Sequence, residues 1–301
     1  MKSFLAALAV CWLIGSPPVL AETPVQPPGA GIHPLCFVQL FAALRSDNPF
    51  QPVACDTLPG EQPIEVLPGQ DAADLTYSSE VVGDRGLSEG FVAYTVAGHW
   101  PSSINNNQWT LFEVTTNYGG VGLYSSIWLL MRPGGEQIVE PLLYLPGGDR
   151  CNDGALLVSE VASDRLIFMS AATPFRLLNP TTDSDWRLVS MDRIQKSGQA
   201  PVRGPFMGWQ PGRDVSDAAT ACAGRLVKSY NFKTDSLDVL GVHIDRQAFL
   251  DAQKGAKQTC INEWLKRQSF QRTGALDGRV LDVDLDTWNR MLSSLGSECS
   301  G

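Results

Sequence analysis

Between residues 75 and 245, apolar and polar positions follow a short-period pattern. Runs at 91–96, 109–115, 123–131, 138–145, 155–161, 166–170, 187–191, 226–232 and 237–244 are rich in β-branched and aromatic residues. Turn formers separate several of them, as in Asn117-Tyr118-Gly119-Gly120, Pro133-Gly134-Gly135 and Gly147-Gly148-Asp149. Such runs predict strands, and glycines that accept positive φ predict hairpin turns between them. Connections this short join antiparallel neighbours, because a parallel crossover needs about a dozen residues or more. The expectation is a mainly β protein with an antiparallel sandwich or barrel-like core.

The period changes at both ends. After Pro34, residues Cys36, Phe37, Leu40, Phe41 and Leu44 fall at helical spacing, and Asn48-Pro49 would stop that helix. Near the other end, Cys260, Ile261, Trp264 and Leu265 share one helical face, and Trp288, Met291, Leu292 and Leu295 repeat the spacing. Asp286 is the expected N-cap of the last helix and Gly296 its stop, with a strand over 280–285 before it. The class is therefore α+β overall. The organisation read from these shifts is a leader over 1–21, a Pro-rich, disulfide-tied N-terminal subdomain over 22–74, a β core over 75–245 and a mainly helical segment over 246–301.

The first residues set the compartment. Met1-Lys2-Ser3 precedes an apolar stretch from Phe4 to Ile14, and small residues around Ala21 follow Pro17-Pro18. This is the layout of a secretory signal with cleavage after Ala21, too interrupted for a membrane-spanning helix. Export to the periplasm changes how the cysteines are read. Cys36, Cys55, Cys151, Cys222, Cys260 and Cys299 remain after cleavage, and an even set in an oxidising compartment predicts disulfides. Proximity along the chain favours 36 with 55, 151 with 222 and 260 with 299.

Charge narrows the partners. The chain carries a net charge of -9, one unit more negative once Lys2 is removed. An acidic surface disfavours nucleic acid and anionic membranes and suits a neutral or basic protein.

The candidate chemistry is sparse. Gly86-Leu87-Ser88-Glu89-Gly90 fits the G-x-S-x-G nucleophile elbow, with His99 and His243 downstream as bases, but a strand-like run follows where that motif needs a helix. Asp149 and Asp153 occupy the first and fifth places of a calcium-loop pattern, with Cys151 where an oxygen ligand belongs, so calcium is a weak expectation and no other cofactor is implied. Two loops point elsewhere. Trp100 and Trp109 bracket a polar tip containing Asn105, Asn106 and Asn107. Phe206, Met207, Trp209 and Arg213 sit among Gly and Pro breakers. Amphipathic aromatics beside adaptable polar neighbours are what recognition surfaces use. The leading expectation is a periplasmic, non-enzymatic binding protein of the immunity or inhibitor kind, partnered by a toxin or envelope enzyme. A serine hydrolase using Ser88 and a carbohydrate-binding module using the two tryptophans are the alternatives.

Overall fold

The computed structural model describes residues 32–46, 51–55, 63–68, 75–83, 88–101, 107–133, 138–151, 153–180, 215, 222–252, 255–268 and 280–299. The leader and the expected cleavage after Ala21 lie outside them, as does the run at 187–191. Two antiparallel sheets dominate, as the strand pattern predicted. The first is a curled, half-barrel sheet of seven strands in the order β1-β7-β6-β5-β4-β3-β2. Its members are β1 (Val53–Ala54), β2 (Glu65–Pro68), β3 (Leu75–Val82), β4 (Ser88–Pro101), β5 (Gln108–Asn117), β6 (Tyr124–Arg132) and β7 (Ile138–Asp149). The second has five strands in the order β12-β11-β10-β9-β8, from β8 (Leu157–Val161), β9 (Arg165–Ala172), β10 (Gly224–Asn231), β11 (Ser236–Asp245) and β12 (Val280–Asp284).

Period-two alternation divides the seven-stranded sheet into two faces, switching parity across bulges in β4 and β7. In β6, Trp128 and Leu130 face one way and Ile127 and Leu129 the other. On the first face lies helix α1 (Cys36–Ala43), whose Phe37 ring meets Tyr94, Phe112 and Trp128 at centroid distances of 5.5, 5.3 and 6.0 Å. The cluster it completes draws an apolar side chain from each of the seven strands. Helix α1 and strands β1 and β2, from the stretch expected as a separate N-terminal unit, are thus built into this layer.

The opposite face packs on the second sheet through Leu111, Ile127, Leu143 and Leu145 against Leu166, Phe168 and Tyr230. Only half of the second sheet is covered in this way. Further along the same face, Ala172, Leu226, Val242 and Ile244 pack instead against α2 (Pro174–Leu178), α3 (Arg246–Asp251), α4 (Gln258–Arg267) and α5 (Leu285–Cys299). One sheet face therefore serves two cores, with a bulge at Val227/Lys228 near the boundary.

Three disulfides brace these layers in the expected pairing. Cys36–Cys55, Cys151–Cys222 and Cys260–Cys299 have Cα atoms 5.2, 4.9 and 5.9 Å apart, within the range a disulfide spans. The last helix differs from expectation at both ends. It begins at Leu285, capped by Asp284, whose Oδ1 accepts the Thr287 N–H at 2.9 Å, so Asp286 lies inside the first turn. It then runs through Gly296 to Cys299, because Leu295 packs in the core and the disulfide holds the last turn against α4. Gly147-Gly148-Asp149 is likewise not a turn but the end of β7, and a Cβ at Gly147 would come within 2.5 Å of the Ser125 carbonyl. Among the described residues, no helix is long and apolar enough to cross a membrane.

Candidate functional site

The β4–β5 hairpin places Trp100 directly opposite Trp109. Residues facing each other across an antiparallel pair share a sheet face, so the two indoles stand side by side. The face is the one that packs on the second sheet, but here it runs past that sheet, leaving the tryptophans 37% and 42% exposed. Met131 continues the row on β6 opposite Trp109. The Trp100 ring lies over Gly98, where a Cβ would approach it to 2.5 Å, so this glycine gives the ring its bed. Asn107 donates its Nδ2 to Met131 Sδ at 3.3 Å, which ties the hairpin tip to β6. The result is an apolar strip held by backbone pairing. Asn105 and Asn106 lie outside the described residues, as do Phe206, Met207, Trp209 and Arg213 of the second aromatic loop.

At the other end of β5 the chain forms a cleft of about 680 Å3. Phe41 and Arg45 from the end of α1 make one wall, and the β5–β6 turn with Tyr118 and Tyr124 makes another. Tyr144 of β7 meets Phe41 edge to face at 6.0 Å, and Tyr118 meets it at 6.4 Å. The turn is pinned from both sides. Asn117 Oδ1 accepts the Gly119 N–H at 2.8 Å, and its Nδ2 donates to the carbonyls of Gly120 and Gly122 at 2.9 Å. Gly119 has φ +82, a conformation that a side chain would strain. From below, Asp149 Oδ1 accepts the Leu123 N–H at 2.6 Å, and Arg150 donates to the Val121 carbonyl. Burial pushes the Tyr144 phenol up to about 12 and raises that of Tyr118, while the Arg45 charge pulls both the other way. Both phenols consequently stay protonated near neutrality. Sequence reading registered only the turn, since the four aromatic groups come from three segments far apart in the chain.

The catalytic candidates do not converge. Ser88 starts β4 as an extended residue rather than sitting at a strand-to-helix turn, and its Oγ donates to the Gly90 carbonyl at 3.5 Å. His99 lies eleven residues further along the same strand, about 35 Å away at the rise of extended chain. Its Nδ1 shares a 2.9 Å hydrogen bond with Thr110 Oγ1. His243 belongs to β11 of the second sheet, where it pairs with Asp282 across to β12. Ser88 is the first residue of β4, paired with Val82 at the end of β3.

Asp149 and Asp153 also find protein partners. Besides the Leu123 N–H, Asp149 has Arg150 Nε at 3.8 Å. Asp153, at φ +56, binds Arg176 Nη2 at 2.6 Å and Lys228 Nζ at 3.3 Å, with Ser170 Oγ at 3.5 Å. Lys228 is fully buried on the shared face of the second sheet, between Leu226 of one core and Tyr230 of the other. Burial lowers its ammonium from 10.5 to about 8, with Arg176 adding to the effect and Asp153 opposing it. Burial alone would raise the Asp153 carboxyl, but Lys228 and Arg176 outweigh it and hold the group below its ordinary value. Two cations around a carboxylate make an ion cluster at the seam of two cores. Among the described residues, no group of three or more acidic, His or Cys side chains is placed to hold a metal.

Comparison with known protein families, curated proteins and solved structures finds no match to this chain.

Proposed function

We propose that this is an exported, non-enzymatic binding protein of the inhibitor or immunity kind, acting in the periplasm on a toxin or envelope enzyme. The observation that carries the reading is the half-exposed Trp100–Trp109 pair, mounted on a paired β-hairpin and continued by Met131. Large, rigid aromatics with few rotatable bonds give contact area at low entropic cost, and they dominate binding energy at interfaces. Three disulfides fit the oxidising compartment in which such a partner would be met. The net charge of -9 favours a basic or neutral partner surface and speeds its encounter.

The test is affinity capture of envelope proteins by the mature chain, with the captured species identified by mass spectrometry and its Kd then measured against wild type and a Trp100→Ala/Trp109→Ala variant. The expected result is one specific toxin or enzyme whose affinity falls by at least about thirtyfold in the variant, the effect of losing an aromatic anchor. A captured partner whose Kd is unchanged by the double substitution, or no specific partner at all, overturns the reading.

A further inference from the structure

From the cleft at the opposite end of β5 we infer a second site, for an acidic saccharide: a sugar ring bearing a carboxylate, bound between Arg45 and Asp149 over the tyrosines. The site is separate from the tryptophan strip and does not depend on it.

The size is right for a ligand of this kind, since small-molecule pockets span roughly 300–1,000 Å3 and this one holds about 680 Å3. Its chemistry is mixed in a particular way. Tyr118 and Tyr124 are each about half exposed, 49% and 50%, so their rings offer flat apolar faces to a ligand while Phe41 backs the wall. Hydroxyl groups line the rest, from Thr116, Ser125 and Ser126 and from the phenols of Tyr118 and Tyr144. Ser126 Oγ already accepts the Trp128 indole N–H at 3.1 Å, and Ser125 Oγ accepts the Leu156 N–H at 3.1 Å; neither of these bonds uses the hydroxyl hydrogen, which can donate elsewhere. A purely apolar ligand would strip these groups of water without replacing it, at a cost for each.

Charge selects further. Arg45 is an exposed guanidinium on one wall, and its effect on Tyr118 and Tyr144 places its field inside the cleft. Asp149, on the other side, is an acceptor. A ligand that satisfies both needs a carboxylate for the guanidinium and hydroxyl donors for the carboxylate, carried on a ring whose C–H face lies on tyrosine. An aryl carboxylate lacks the donors, and a neutral sugar lacks the anion. The turn that presents Tyr118 is already fixed by Asn117, Asp149 and Arg150, so little ordering opposes binding.

The experiment is isothermal titration of the intact, oxidised protein with trigalacturonate, with maltotriose as the neutral probe and benzoate as the aryl probe. Expected is binding of trigalacturonate that weakens about tenfold in Arg45→Ala and in Tyr118→Ala, the scale of one charge-assisted contact, and that Trp100→Ala/Trp109→Ala leaves unchanged. Arg45 is exposed, and an unchanged melting temperature shows that its variant is folded. Equal binding of maltotriose or benzoate, no binding of trigalacturonate at 10 mM on the order of the weakest measurable affinities, or binding indifferent to Arg45→Ala each overturns the inference.

Discussion

Replacing Asp153 by Asn tests how the two cores are joined. The substitution keeps the shape of the side chain but removes the carboxylate held by Arg176 at 2.6 Å and by the fully buried Lys228 at 3.3 Å. Even with that carboxylate present, the fall of the Lys228 ammonium from 10.5 to about 8 corresponds to roughly 3 kcal/mol spent on keeping it charged near neutrality. Breaking a buried ion pair from one side costs about 3–5 kcal/mol, and Asp153 is itself largely shielded, with 23% of its side chain exposed. We therefore expect Asp153→Asn to lose about 3 kcal/mol at pH 7, read as a lower urea midpoint with the disulfides intact. Asp153→Asn/Lys228→Met should recover most of it, since apolar packing replaces the stranded charge. The pH dependence has a definite sign. Because Lys228 is harder to protonate in the folded state, the unfolded chain binds more protons between about 8 and 10.5, and wild-type stability rises with pH across that window. Asp153 acts at the acid end. Its folded carboxyl lies below 3.8, so its contribution is present above that value and is lost as pH falls through the lower folded one. A loss under about 1 kcal/mol in Asp153→Asn, with no recovery in the double variant, would refute the ion cluster as a structural joint.

Two further perturbations probe the layers. Phe37→Ala empties the centre of the α1-facing core, where the ring is fully buried against Tyr94, Phe112 and Trp128; a loss of about 3–5 kcal/mol is expected by denaturant unfolding, and one under about 1 kcal/mol would mean that α1 is not part of the core. Cys260→Ser/Cys299→Ser opens a link across a sequence separation of 39 between α4 and α5; the chain-entropy estimate is about 4 kcal/mol, visible as a lower melting temperature than wild type under non-reducing conditions and as no difference once both are reduced.

Much of the architecture was legible because it is local. Alternation in 109–115 and 123–131 placed β5 and β6, and the helical spacing from Cys260 and from Trp288 placed α4 and α5. The edge strands β1 and β2 were not legible, since Val53–Ala54 is two residues long and Glu65–Pro68 ends at a proline, and both gain their pairing from partners rather than from their own pattern. Lys228 left a trace that was overlooked: Leu226, Lys228 and Tyr230 alternate inward, which puts a charge at a core position. Its partner Asp153 lies 75 residues away in sequence, in a stretch whose pattern suggested a disulfide-pinned turn and only weakly calcium. The tyrosine cleft is non-local throughout, assembled only when α1, the β5–β6 turn and β7 meet.

If the Trp100–Trp109 strip binds a protein partner, a crosslinker placed on it will trap that partner. The most direct measurement places a photo-crosslinking amino acid at Trp109 in cells exporting the chain, with Leu240, an exposed side chain on the second sheet, as the comparison position. One discrete protein adduct is expected from position 109 and none from 240. No adduct at 109, or the same adducts from both positions, would contradict it.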